Sequence, residues 1–329
     1  MASELIIEAE IRHALNHNHL SLAISLAYQW LREYSNSLSS IVSRAKLRQP
    51  DLWLTIADVA ERTSDFGLIE TLFQILERVD LSFPRSDLVP LLGVPIVNRP
   101  DLLSRLLDSL DVQVDTLAIV DNSRLFIRDC ESAGESLVER YLNALQQLGH
   151  PLVKTITVAK PFRNLGVAAS WNHILTSFPE YPFALIVNND VAFSPGCLAR
   201  SIAQINPAKP QFMPLLKEPN SFSAFFLTSL CWDHIGLFDC NFRYAYFEDI
   251  DFKDRLKSNP NVEWLHDENV TAAMNGLNQE HSMTIRSNPE LAAANKLSYA
   301  LNKMWYLSPR RFRGNTRGIW RRLWLAQWD

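Results

Sequence analysis

Of the 17 prolines and 10 glycines in this 329-residue chain, only Pro50 and Gly67 precede residue 84. Proline disrupts a helix by lacking a donor N–H, and glycine by its backbone entropy. A stretch of 83 residues so poor in both predicts a helical block with few turns. Leu20, Ala23, Ile24, Ala27, Trp30 and Leu31 recur there at helical spacing, and Leu68, Ile69, Leu72, Phe73, Leu76 and Val79 form a second stripe. Pro50-Asp51 opens a helix carrying Trp53, Ile56, Val59 and Ala60, and Ser64-Asp65 is the expected N-cap of the last stripe. Four or five helices packed as antiparallel hairpins follow, a small bundle or short array whose surface offers a place for a protein partner. His13 and His17 have the i, i+4 spacing of a metal pair, but no third ligand stands near, so they read as solvated residues at a helix end.

From residue 84 the pattern becomes short apolar runs, each ending in polar residues. Leu91 to Val97 precedes a helical stretch from Asp101 to Leu110; Thr116 to Val120 follows; then Val153 to Val158 with Val167 to Leu175, and Phe183 to Val187 with Cys197 to Ile205. This is the rhythm of an α/β domain, a largely parallel sheet flanked by helices, expected over 84–307. The helical domain is assigned to 1–83 and a basic, tryptophan-rich tail to 308–329.

Composition removes several classes. The formal charge of −4 argues against a nucleic-acid binder. None of the glycines forms a G-x-G-x-x-G or G-x-x-x-x-G-K spacing, which sets aside dinucleotide and P-loop sites built on glycine backbone. The cysteines, Cys130, Cys197, Cys231 and Cys240, form no C-x-x-C pair, as suits a reducing compartment. With no basic-then-apolar leader and no apolar run near ~18 residues, a cytoplasmic location is expected.

In parallel α/β sheets ligands bind beyond the carboxyl ends of the strands. There the sequence has Asn98-Arg99-Pro100, Val120-Asp121-Asn122-Ser123, Asn164-Leu165-Gly166-Val167-Ala168 leading to Asn172, and Asn188-Asn189-Asp190. Farther on, Gly236-Leu237-Phe238-Asp239 precedes Tyr244-Ala245-Tyr246-Phe247-Glu248-Asp249-Ile250-Asp251. So dense a set of acids among aromatics is costly without a cation or substrate beside it.

These pieces, in this order and with Pro195-Gly196 between them, resemble the inverting glycosyltransferases of the GT-A fold, family 2 type, including rhamnosyl- and galactosyltransferase-like members. The resemblance runs over about residues 88–307. It implies a GT-A mixed sheet flanked by helices and transfer of a sugar from a UDP- or dTDP-linked donor to a hydroxyl of a glycan or lipid-linked acceptor. Asn98, Arg99, Asp121, Asn164, Gly166, Asn172, Asn188 and Asn189 would line the nucleotide-sugar side, although Asp121, Asn164, Gly166 and Asn172 also suit ordinary turns and caps. Asp190 would hold Mn²⁺ or Mg²⁺ against the diphosphate. Asp249 would be the base that takes the acceptor's proton, its affinity raised by Glu248 and Asp251, with Tyr246 and its aromatic neighbours as a sugar platform. Acids opening a helix are also favoured by its dipole. Trp232 and Asp233 would face the acceptor, unless Trp232 belongs to the core.

Relatives carry a metal-binding histidine at a position that falls near Ala272 or Ala273 here. His266 and His281 bracket it as replacements. Two other readings stay open: a nucleotidyltransferase on a related sheet, which would want more basic residues near the first strand than Arg99, and a scaffold that binds nucleotide sugar without turnover. From Lys303 to Asp329 the chain carries seven basic residues and one acid, +6 against −10 for the rest. Trp320, Trp324 and Trp328 recur every fourth residue, predicting a helix that either lies on a membrane surface or docks on the protein's own core.

Overall fold

In the computed structural model, residues 2–38, 41–42, 49–81, 87–124, 136–266, 272–274 and 289–309 are described. The chain divides into two units, Met1–Pro84 and Arg85–Asp329. The tail beyond residue 309, with its tryptophan stripe, lies outside the described residues. So do His281 and Cys130.

The first unit holds helices α1 (Ala2–Asn16), α2 (Leu20–Ser37), α3 (Pro50–Thr63) and α4 (Gly67–Glu77). Their apolar stripes meet in one core of Ile11, Leu31, Tyr34, Leu52, Ile56 and Leu68, among others. Helix α3 begins at the proline, which fits N1 because the N–H it lacks would have no helical partner. The expected Ser64-Asp65 cap shifts: Ser64 takes the left-handed conformation that ends α3, Phe66 stands at the N-cap of α4, and Asp65 Oδ1 accepts the Gly67 N–H at 3.1 Å. A short parallel pairing, β1 (Ile41–Val42) with β2 (Asp80–Leu81), is an addition the helical pattern does not announce.

The second unit has β3 (Val89–Ile96), α5 (Pro100–Asp108), β4 (Val114–Asp121), α6 (Leu137–Leu148), β5 (Val153–Ala159), α7 (Val167–Ser177), β6 (Phe183–Val187), β7 (Val191–Ala192), α8 (Cys197–Gln204), β8 (Gln211–Pro214), β9 (Ala224–Thr228), α9 (Ser229–Ile235), α10 (Glu248–Ser258), β10 (Glu263–Trp264), β11 (Ala273–Met274) and α11 (Pro289–Leu307). Seven strands form a sheet in the order β10-β8-β9-β6-β3-β4-β5. Strands β3, β4, β5 and β6 are mutually parallel, whereas β9 runs antiparallel to both β6 and β8. The mixed α/β sheet flanked by helices, with a helical unit before it, is the architecture expected from the sequence.

Side chains alternate across the pleat into two cores. Leu92, Val94 and Ile96 face α5, α6 and α8 on one side, while Leu91, Ala118 and Ala184 face α7, α9 and α10 on the other. Gly93 sits where α7 presses on the sheet: a Cβ there would lie 2.7 Å from both Ile174 Cγ2 and Ile186 Cδ1. No helix among the described residues is long and apolar enough to cross a membrane.

Candidate active site

The parallel register brings the polar strand ends to one edge of the sheet. Ile96 pairs with Asp121, and the Asn122 N–H donates to the Ile96 carbonyl at 2.7 Å. The Asn189 side-chain amide donates to the Asn98 carbonyl at 3.1 Å, so the ends of β3 and β6 are tied directly. Asp121 and Asp190 are both only 3% exposed. Asp121 Oδ1 accepts the Ser123 N–H at 3.0 Å, and Asn164 Oδ1 accepts the Gly166 N–H at 2.8 Å, the short loops that asparagine and aspartate favour. Asn122 bridges the two neighbouring ends, accepting the Leu165 N–H at 2.9 Å and donating to Ser170 Oγ at 2.8 Å. The Asn188 N–H is taken up by the Ser223 carbonyl at 2.8 Å.

The acid-bearing segment reaches this edge through Gly166. A Cβ on Gly166, whose φ is +79°, would lie 2.6 Å from the Tyr244 nitrogen, so only glycine admits the contact. The Val167 N–H donates to the Tyr244 carbonyl at 2.6 Å. Gly166 therefore serves a junction between two stretches of protein backbone, where a nucleotide contact was expected. Asn172 is likewise reassigned: its Nδ2 donates to the Phe238 carbonyl at 2.7 Å and its Oδ1 accepts the Phe238 N–H at 2.9 Å. The amide is used on the 236–240 turn.

Beyond the junction the backbone is strained. Tyr244, Tyr246 and Phe247 have φ of 57°, 80° and 72°, a left-handed region that bulky side chains rarely occupy. Phe247 is the N-cap of α10, and Glu248, Asp249 and Asp251 fill its first turn. Phe252 anchors the helix on the sheet, stacked on Phe238 with ring centroids 4.0 Å apart. Glu248 is buried, and its Oε2 has no hydrogen-bond partner among the described residues. Burial holds its carboxyl well above the usual range, helped by the Asp249 charge. Burial also raises Asp249, which accepts the Ile250 N–H at 2.8 Å; Glu218 pushes the same way and Lys253 opposes it. Asp251 plays a different part from the one expected, since Arg255 Nε donates to its Oδ2 at 3.0 Å and neutralises it.

Several expected contributors are elsewhere. Strand β9 runs against β6, with Phe183 opposite Thr228, so α9 starts at the opposite edge of the sheet, about 17 Å from the tips. Trp232 and Asp233, expected to face the acceptor, lie on α9 at that opposite end; Trp232 packs against the core. The aromatic residues expected as a sugar platform are engaged within the protein. Phe247 and Tyr244 are buried, and Tyr246 and Phe247 pack edge-on or tilted against Tyr299 of α11 at 5.4 and 5.2 Å. Arg99 forms a forked ion pair with Asp101 at 2.8 and 2.7 Å. His266 follows β10, which two strands separate from β6, and its ring stacks on Trp264.

The metal position can be tested on the backbone. Strand β11 pairs with β7 so that Ala273 lies opposite Ala192 and Met274 opposite Val191, immediately after Asp190. The position at which the resemblance led us to expect a histidine thus lies opposite β7, two residues after Asp190, and alanine occupies it. Among the described residues no three His, Cys, Asp or Glu side chains gather as a ligand set. Asp190 would hold a hard cation by one carboxylate, with diphosphate oxygens and waters completing its shell, as such cations accept.

Three contributors escape the motif reading. Lys253, one turn after Asp249, pairs with Glu218 from the loop after β8. Both acquire meaning only when that loop meets α10. On α11, Leu291, Asn295, Ser298, Asn302 and Trp305 are all buried at helical spacing, and three of the five are polar. That spacing is the one sequence signal that pointed to them.

No protein-family model matches the chain, and no curated protein matches it in sequence. Among solved structures it is similar to S. aureus TarS 1-349 in complex with UDP, at 14% identity and TM-score 0.39, over 55% of this chain and 58% of that one. It is also similar to GalNAc-T7 with UDP, GalNAc and Mn²⁺, at 11% identity and TM-score 0.42, over 77% of this chain and 60% of that one. The chain spans less than two thirds of the length of either.

Proposed function

We propose that the chain is an inverting glycosyltransferase of the GT-A type, moving a sugar from a UDP- or dTDP-linked donor to a hydroxyl of a glycan or lipid-linked acceptor. The observation that carries this reading is the Gly166–Tyr244 junction, which joins the loop that carries the buried acids to the strand edge bearing Asp121 and Asp190. Asp121, Asn188 and Asn189 would meet the nucleoside, where a carboxylate suits an imide N–H and amides suit hydroxyls. A divalent cation on Asp190 would neutralise charge on the departing diphosphate.

Asp249 supplies the base. The acceptor oxygen forms its bond to the anomeric carbon as the bond from that carbon to the diphosphate oxygen breaks, and the hydroxyl proton passes to Asp249. One displacement inverts the configuration. Burial strengthens Asp249 as a base, because desolvation disfavours its charged form. Glu248, held proton-avid by burial and by the Asp249 charge, gives up its proton less readily than an ordinary carboxyl.

The alanine opposite β7 favours a second reading, a site that binds nucleotide sugar without turnover. The nucleotidyltransferase alternative loses support because Arg99 is committed to Asp101. Incubating the protein with a panel of nucleotide sugars, Mn²⁺ and hydroxyl acceptors, with release of nucleoside diphosphate as the readout, separates them. Acceptor-dependent release supports transfer. Thermal stabilisation by a nucleotide sugar with no release would establish the binding-only reading.

A further inference from the structure

We propose that Asn302, 53 residues after Asp249 on α11, is a positioning residue that sets the catalytic acids in place by holding the strained loop before them. The functional part rests on the transferase reading above.

Asn302 is 2% exposed, and its side chain is given over to that loop. Its Nδ2 lies 2.9 Å from the Arg243 carbonyl oxygen, 3.0 Å from that of Ala245 and 3.0 Å from that of Tyr246, while its Oδ1 accepts the Arg243 N–H at 3.1 Å. Ser298, one turn earlier, also donates to the Arg243 carbonyl. Non-glycine residues persist in left-handed conformations only where surrounding structure over-determines them. Here α11 supplies part of the over-determination: beside the Val167 bond to Tyr244 and the packing of Phe247, the Asn302 amide gathers the Arg243, Ala245 and Tyr246 carbonyls, and its removal frees the loop to relax toward ordinary φ values.

The whole buried face of α11 serves the same purpose. Leu291, Asn295, Ser298, Asn302 and Trp305 follow a 4-3-4-3 spacing, which in a helix packed for stability alone would be apolar. Buried polar groups are costly unless bonded, and each polar member bonds to the 239–246 segment. Asn295 Nδ2 donates to the Tyr246 hydroxyl at 2.9 Å and Trp305 Nε1 to Asp239 Oδ2 at 2.8 Å. The strand-edge residues Asp121 and Asp190 receive none of these bonds. Loss of Asn302 therefore misplaces the acids and leaves the nucleotide side alone.

The test uses the full chain with Asn302→Ala and, as a milder variant, Ser298→Ala. Two amides report the loop: Val167, which donates to Tyr244, and Asp251, which donates to Phe247. In Asn302→Ala their hydrogen exchange is expected to quicken on the order of tenfold, with amides of β3 and β4 unchanged. Turnover is expected to fall on the order of 10²-fold, with UDP binding and donor KM within about twofold of wild type. The acid limb of kcat moves to lower pH, because an opened loop lessens the burial that raises the carboxyls. Ser298→Ala shifts each quantity in the same direction by less, and decides the matter if Asn302→Ala does not fold. Unchanged exchange at Val167 and Asp251, exchange rising equally through the sheet, or loosened exchange with unaltered kcat would each overturn the proposal. Wild-type protein inactive on every nucleotide sugar would instead defeat the transferase reading, and the exchange pattern alone would then judge whether Asn302 holds the loop.

Discussion

At the strand edge, Asp121 and Asn164 spend side-chain oxygens on amides two residues ahead, and Asn122 links adjacent strand ends. Across the Gly166–Tyr244 junction, the acids of α10 sit behind three left-handed residues held by a helix more than forty residues downstream. The first region is built from short side-chain turns and from amide bridges between neighbouring strand ends that the parallel register brings together. The second is built from long-range contacts that work against local backbone preference. Turns of the first kind can form from nearby residues, while a carboxyl with raised proton affinity needs burial, and burial has to be imposed from outside its own segment.

The largest expected effect separates the two regions most sharply. Asp249→Asn keeps the shape of α10 and removes the proton acceptor, so transfer should fall on the order of 10³-fold while UDP binding is unchanged. Single-turnover transfer and calorimetric UDP titration measure the two quantities. Turnover at the wild-type level would remove Asp249 from the mechanism and leave the acid region without a catalytic function. Asp190→Ala makes the reciprocal cut at the strand edge. Its UDP affinity in Mn²⁺ should drop on the order of tenfold or more, and the gain that Mn²⁺ gives the wild type should vanish. A gain that survives would place the cation on other residues.

A smaller effect probes burial itself. Glu248 has a folded pKa above its unfolded one, so the folded state binds the proton more tightly and stability declines as pH rises from the ordinary carboxylate range through the raised value. Glu248→Gln removes that decline. Its melting temperature should exceed that of wild type by a few degrees at pH 8 and match it near pH 4. Thermal unfolding that shows the same difference at both pH values would mean that Glu248 is not held proton-avid by the fold. The smallest effect is a null one. Asp233→Asn, on the opposite edge of the sheet, should change turnover by less than about twofold, within the range of an exposed substitution. A larger loss would restore α9 to the acceptor side.

Much of the strand edge was readable because its logic is local. Apolar runs of strand length ended in Asn98, Asp121 and Asn188-Asn189-Asp190, and a parallel register then aligns those ends. Trp232, Asp233 and His266 illustrate what local logic misses. Each follows a strand whose direction or position in the sheet the sequence leaves open: β9 reverses, and β10 lies at the far edge. The Ala273 position behaves differently, since counting from the acids led to it and the pairing of β11 with β7 puts it opposite Ala192, two residues after Asp190.

Periodicity and punctuation alone determined the helices of the first unit, the strand–helix alternation of the second and the polar character of the strand ends, because each depends on neighbours a few residues apart. Tertiary structure alone decided that Gly166 meets Tyr244, that Asn172 grips Phe238, that the aromatic residues near Glu248 face α11, and that Glu218 and Lys253 stand beside Asp249. Those facts depend on residues far apart in the chain, and their energies come from burial and directional hydrogen bonds that exist only once the distant segments have met.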